Sequence, residues 1–107
     1  MKEQPNLKYI NELSGGDLFF EDKILSVIKK EFPEEKRVYY KNLRDKNYPQ
    51  VAEIVHKIKH KISILGLENG YHIAVEYENN LLEDNNLKLK EEFESILQSI
   101  SYFLNQL

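Results

Sequence analysis

Apolar residues recur at three- and four-residue intervals through most of this chain, and sustained alternation is absent. In the middle, Val51, Ile54, Val55, Ile58, Ile62 and Leu65 are spaced this way, the signature of one buried face of an α-helix. The β-branched residues mostly follow the same spacing, so strand signals are weak. The chain reads as all-α. Its 107 residues contain no repeat and no Pro/Gly/Ser-rich linker, so a single domain over residues 1–107 is expected, large enough to bury a core without covalent staples. The absence of cysteine excludes a disulfide scaffold and any thiolate metal or redox site.

Leu7, Ile10 and Leu13 predict a short first helix that ends at Gly15-Gly16, a break suited to a C-cap and turn. Asp17 is placed to cap a second helix with a core stripe of Phe20, Ile24, Val27, Ile28 and Phe32. Leu18, Leu25 and Phe32 lie on another side, where they would receive the first helix. Pro33 followed by Glu34 and Glu35 suits a new helix N-terminus, so a third helix is expected through Tyr39, Tyr40 and Leu43 to about Asn47. Asn47 and Pro49 open a fourth, closing at Gly66. A fifth follows through Ile73, Val75, Tyr77 and Leu81, and Asn85 or Asn86 caps a sixth containing Leu89, Phe93, Ile96, Leu97, Ile100 and Phe103. Short connections imply antiparallel neighbours. The expected architecture is an antiparallel up-down four-helix bundle with an additional short N-terminal helix and a C-terminal helix.

The formal net charge of −3 argues against a general nucleic-acid binder, whose footprint would be a basic domain or stripe. Apolar runs fall far below the ~20 residues that span a bilayer, and no apolar signal region stands at the N-terminus. A cytoplasmic protein without membrane attachment is expected. Charge is nevertheless uneven, because Lys57, Lys59 and Lys61 outnumber Glu53 between Val51 and Gly66. Such a spot favours an anionic group or an acidic partner surface, or else simply solvates a helix face.

His56 sits inside that spot. At about 100° per residue, the fourth helix buries a face centred near Val51 and Ile58, and His56 lies roughly 140° from it. Lys59 and His60 fall roughly 60° to one side and 40° to the other, as its i+3 and i+4 neighbours. The spacing therefore predicts an exposed imidazole with a cation one turn away. Imidazole has a reference pKa near ~6.5, so much of it is free base at neutral pH. Once the ring carries an anionic group, neighbouring lysines stabilise it.

His56, Ile58, Lys59, Leu65 and Gly66 match, in register, the central motif of the histidine phosphotransfer (HPt) domain family, which the chain resembles over nearly its whole length. Leu13, Ser14, Gly15, Gly16, Asp17, Phe20 and Ile24 look like the family's entry into its first long helix, and Phe32-Pro33 like its first corner. Glu78 falls where the family often carries a glutamate in the following helix. It is placed to hold the second imidazole nitrogen, or is a plain surface carboxylate. His60 stands where the family has glycine, and Lys61 and Ile62 stand where it has small residues.

The resemblance implies a stoichiometric phosphoryl carrier rather than an enzyme. His56 would accept the phosphoryl group from an aspartyl phosphate on a response-regulator receiver domain and pass it to another receiver. Lys59 would stabilise the phosphate, His60 would modulate the surface, and Glu78 would orient the ring. Such a carrier has no nucleotide site and no bound cofactor; Mg²⁺ is expected on the partner receiver. The implied partners are receivers and a hybrid sensor kinase, and the carrier is expected to be a monomer. The chain has no Walker-type or kinase glycine loop. The alternative reading is a docking module that binds a receiver or sensor kinase but no longer carries phosphate, because His60, Lys61 and Ile62 reshape the surface. A metal site on His56 and His60 is disfavoured by its two ligands and by the adjacent Lys57 and Lys59. His72 has no acid or nucleophile at a useful spacing and reads as structural or surface.

Overall fold

A computed structural model describes residues 3–107. It is all-helical, with α1 at Lys8–Ser14, α2 at Leu18–Arg44, α3 at Tyr48–Ile64, α4 at Glu68–Asp84 and α5 at Lys90–Asn105, and no strand among the described residues. α3 packs against both α2 and α4, α5 packs against α4 and α2, and α1 packs on α2.

The turn chemistry follows the expected residues at the first corner. Gly15 and Gly16 both take positive φ (60° and 89°) between α1 and α2, a conformation that costs a residue with a Cβ. The Asp17 carboxylate then accepts from the Phe19 and Phe20 amides at 3.0 and 3.2 Å, satisfying two of the donors a helix N-terminus leaves free. Elsewhere the capping differs. Asn47 precedes α3 but makes no side-chain cap bond. Asn85, at φ 51°, closes α4 in the left-handed region instead of opening α5, which Leu89 precedes.

The expected helix boundary at Pro33 is absent. α2 runs through it for 27 residues, so the described residues form five helices where the sequence suggested six. A proline inside a helix removes one i→i−4 bond, here to the carbonyl of Lys29. Pro33 and Lys29 are both exposed, so the proline sits on the solvent side of α2. Meanwhile Ile28, Phe32 and Tyr39, buried at 0–3 % exposure on both sides of the proline, keep one continuous face against the core. Glu34 does not start a helix but pairs with Arg37 inside one, the guanidinium Nε donating at 3.1 Å.

The expected core stripe of α2 is covered only in part in its first half. Ile28 and Phe32 are buried and Ile24 is partly buried against the core, but Phe20 and Val27 are 42 % and 48 % exposed; Leu18, expected on another side to receive the first helix, is 77 % exposed. The reason is length. At ~1.5 Å per residue α2 is roughly 40 Å long and α3 roughly 25 Å, and Lys61 near the end of α3 meets Glu31 and Glu35 of α2. The first turns of α2 therefore run past α3. By contrast, all five predicted core residues within α3, from Val51 to Ile62, are buried, and so is Leu65, which follows it.

Residues 3–7 form a strap that periodicity does not reveal. The Asn6 amide donates to the Leu65 carbonyl at 2.8 Å, and the Glu3 carboxylate accepts from the Asn69 and Gly70 amides at 2.8 and 2.9 Å. It thus caps α4. Gly66 is required beneath this strap: its φ is +81°, and a Cβ there would stand 2.6 Å from the Asn6 side chain.

Tyr39, Tyr77 and Phe93 meet at the centre, with ring centroids 5.2–6.4 Å apart. The Tyr39 hydroxyl donates to Glu94 Oε2 and shares a 2.9 Å bond with the Tyr77 hydroxyl. Burial pushes the Tyr77 phenol up to about 12, and burial together with the Tyr77 bond pushes Tyr39 higher still. An unfolded tyrosine ionises near ~10, so above that pH the unfolded chain binds fewer protons than the folded one. This contribution to stability is whole below about pH 10 and is lost as pH rises through about 12. The urea midpoint should therefore hold steady up to about pH 10 and then fall, with a shallower fall in Tyr39→Phe. A midpoint unchanged to pH 12 would contradict the cluster's role.

Candidate functional site

The face of α3 opposite its core carries the site. Val51, Val55, Ile58 and Ile62 are fully buried, which fixes the helix rotation and turns His56 and His60 outward. His56 keeps about half of its side-chain surface exposed (53 %). The two imidazoles lie edge to face, with centroids 5.1 Å apart and planes at 90°, as i and i+4 positions one turn apart permit.

α4 supplies the third element. Tyr77 and Leu81 are buried in the core, which places Glu78 at the edge of α4 facing α3. Its Oε2 lies 3.0 Å from His56 Nδ1, and its Oε1 accepts from Lys59 Nζ at 3.0 Å. A carboxylate oxygen accepts, so in the neutral ring the proton belongs on Nδ1 and the lone pair on Nε2. Nδ1 is thereby held toward α4, and Nε2 is the ring nitrogen without a hydrogen-bond partner among the described residues. Lys59 and Glu78 are only 13 % and 15 % exposed on their side chains, so the carboxylate is fixed by a cation that is itself mostly enclosed. Each group limits the freedom of the next.

The sequence placed His56, Lys59, His60 and Glu78 as candidates, and the structure brings all four to one face of the α3–α4 pair. The basic spot is smaller than the residue count suggested. Lys61 turns the other way, where its Nζ meets Glu31 and Glu35 of α2 at 3.0 Å each. It ties α3 to α2 rather than charging the surface beside His56. Lys57 is exposed. His72 is exposed beside Tyr71, away from this cluster in the chain and on α4.

Among the described residues no group of three or more His, Cys, Asp or Glu side chains is arranged to hold a metal ion, and no helix is long and apolar enough to cross a membrane. Comparisons with protein-family models, with curated proteins and with solved structures returned no match to the chain.

Proposed function

We propose that the chain is a histidine phosphotransfer domain of a two-component phosphorelay, in which His56 carries the phosphoryl group between receiver domains. In this reading α2, α3, α4 and α5 form an antiparallel up-down four-helix bundle, with α1 as an appendage. The domain works in the cytoplasm as a monomer and turns over no substrate of its own. The observation that carries the reading is the double contact of Glu78, to His56 Nδ1 and to Lys59 Nζ, which leaves the Nε2 side of an exposed imidazole for chemistry.

The transfer balances as follows. The lone pair of Nε2 attacks phosphorus, the acyl-phosphate P–O bond breaks, and the receiver's aspartate leaves as a carboxylate. As Nε2 gives up its electron pair, positive charge develops on the ring. Glu78, already bonded to the Nδ1 proton, offsets that charge where it appears. Lys59 spends one of its three N–H donors on Glu78 and keeps others for the phosphoryl oxygens. The receiver supplies Mg²⁺. Return of the group to a second receiver is the same step reversed.

A second reading keeps docking but removes transfer. It is favoured by His60, whose ring stands edge-on to His56 where the family leaves room with glycine. One experiment addresses both readings. The protein is incubated with a phosphorylated receiver domain and Mg²⁺, and the phosphate it acquires is tested for stability. Acid-labile, alkali-stable phosphate approaching one group per chain supports the carrier. Absence of such phosphate, while the receiver still binds, supports the docking module. His60→Gly is expected to transfer faster than the parent if its ring crowds the approaching receiver, and at an equal rate if it does not.

A further inference from the structure

Asn69 and Gly70 form the one Asn-Gly pair in the sequence. Glycine has no Cβ, so its backbone nitrogen is the least hindered nucleophile that can follow an asparagine side-chain amide in a chain. The pair stands in the first turn of α4, where a helix leaves its amides without intrahelical partners. Leu67, which precedes the helix, makes no side-chain cap. Glu3 supplies one from the far end of the chain, its Oε2 accepting from the Asn69 amide at 2.8 Å and its Oε1 from the Gly70 amide at 2.9 Å. The strap therefore holds the very nitrogen that would attack Asn69.

We propose that Asn69 is a site of spontaneous imide formation and deamidation, and that the Glu3 strap is the catch that holds the reaction back. The Gly70 nitrogen loses its proton and bonds to Asn69 Cγ. The Cγ–Nδ2 bond breaks, and the side-chain nitrogen leaves as ammonia, carrying that proton. Water then opens the five-membered imide at one of its two carbonyls, leaving aspartate or isoaspartate at position 69.

The strap opposes this in two ways. A carboxylate bonded to an N–H disfavours loss of the proton, because the resulting anion would stand against a negative charge. The two hydrogen bonds also keep the first turn helical, with ψ about −42°, and the imide closes only when the Gly70 nitrogen swings out of that turn toward Asn69 Cγ. Asn69 is exposed, and the pair lines an open cleft between α4 and α5, so water is at hand once the turn opens. The change is one-way. Aspartate at this position repels the Glu3 carboxylate, and isoaspartate adds a methylene to the backbone between the amides that Glu3 bridges. None of this depends on the phosphotransfer reading.

The test incubates the full chain and its Glu3→Ala variant side by side at neutral pH for several weeks. Peptide mapping by mass spectrometry reads conversion at each asparagine, and an isoaspartyl methyltransferase with labelled S-adenosylmethionine counts isoaspartate. Conversion should be fastest at Asn69 and about two- to thirtyfold faster in Glu3→Ala, the change in first-turn opening expected from losing a helix cap. Glu3→Gln, which keeps one acceptor oxygen, should fall between. Amide hydrogen exchange gives a second readout without the covalent step: in Glu3→Ala, protection should drop at Asn69 and Gly70 and persist at Ala74 and Tyr77. The inference is overturned if Glu3→Ala converts Asn69 no faster than the parent, if another asparagine converts first, or if protection is lost along all of α4. It also falls if neither folded protein converts while the urea-unfolded parent does.

Discussion

His56→Ala should abolish acid-labile phosphate on the chain, and Glu78→Gln should leave it but slow its appearance about 10–100-fold, the range typical of groups that orient and charge-balance a reacting imidazole. The two variants separate the acceptor from the group that prepares it. Glutamine matches glutamate in shape, so packing against α3 is retained, and its carbonyl can still accept from Nδ1. What is lost is the negative charge. Without it, positive charge developing on the ring at transfer is uncompensated. Lys59, now lacking the partner that holds it at 3.0 Å, adds an unbalanced cation one turn away. A 10–100-fold slowing corresponds to about 1.4–2.7 kcal/mol of transition-state stabilisation. Lys59→Met distinguishes the two roles available to the lysine. If Lys59 acts by steadying Glu78 alone, adding Lys59→Met to Glu78→Gln costs nothing further. If it also contacts the phosphoryl oxygens, the double variant is slower than either single one. Wild-type rates in Glu78→Gln would remove the carboxylate from the mechanism, and labelling of His56→Ala would remove His56.

The site became legible to different depths because its parts depend on different ranges of contact. Exposure of His56 and His60 follows from the rotation of a single helix, set by Val51, Ile54, Val55, Ile58 and Ile62, and periodicity reports that rotation directly. The Glu78 contact needs the axial register of α4 against α3, a relation between residues 22 positions apart; only the family pattern, not the spacing, pointed there. Lys61 shows the opposite error. Counted by sequence it belonged to the basic spot, but a lysine on the flank of a helix takes its electrostatic environment from whichever neighbour it reaches, here Glu31 and Glu35.

The same distinction accounts for the helices. Pro33 carries strong local signals for a helix start, and they lose to a buried face that continues from Ile28 and Phe32 to Tyr39. Local propensity is worth a few kcal/mol at most at such a position, and burial of several large side chains exceeds it. Leu18, Phe20 and Val27 fail for a reason no window of sequence contains: whether an apolar stripe is covered depends on how far the neighbouring helices extend. The Glu3–Asn6 strap was equally hidden, because a helix N-terminus can be capped from far away in the chain, as Asn69 and Gly70 are here.

Phe93→Ala is expected to cost about 3–5 kcal/mol of folding stability, out of the 5–15 kcal/mol typical of a domain. Phe93 is fully buried, and its ring touches Tyr39 of α2 and Tyr77 of α4 at centroid distances of 5.3 and 5.2 Å. Truncation leaves a cavity where three helices meet, and the tyrosines cannot close it freely. Their hydroxyls are held to each other and to Glu94, so moving a ring inward would break a buried hydrogen bond. The site at the α3–α4 seam shares this support, because Glu78 follows Tyr77 directly in α4. Phe19 provides the contrast, being 82 % exposed, so Phe19→Ala should change stability by no more than about 0.5 kcal/mol. Urea denaturation of the two variants against the parent measures both. A Phe93→Ala loss below about 1 kcal/mol would mean the three rings do not bear the core, and that the geometry holding Glu78 against His56 is set elsewhere.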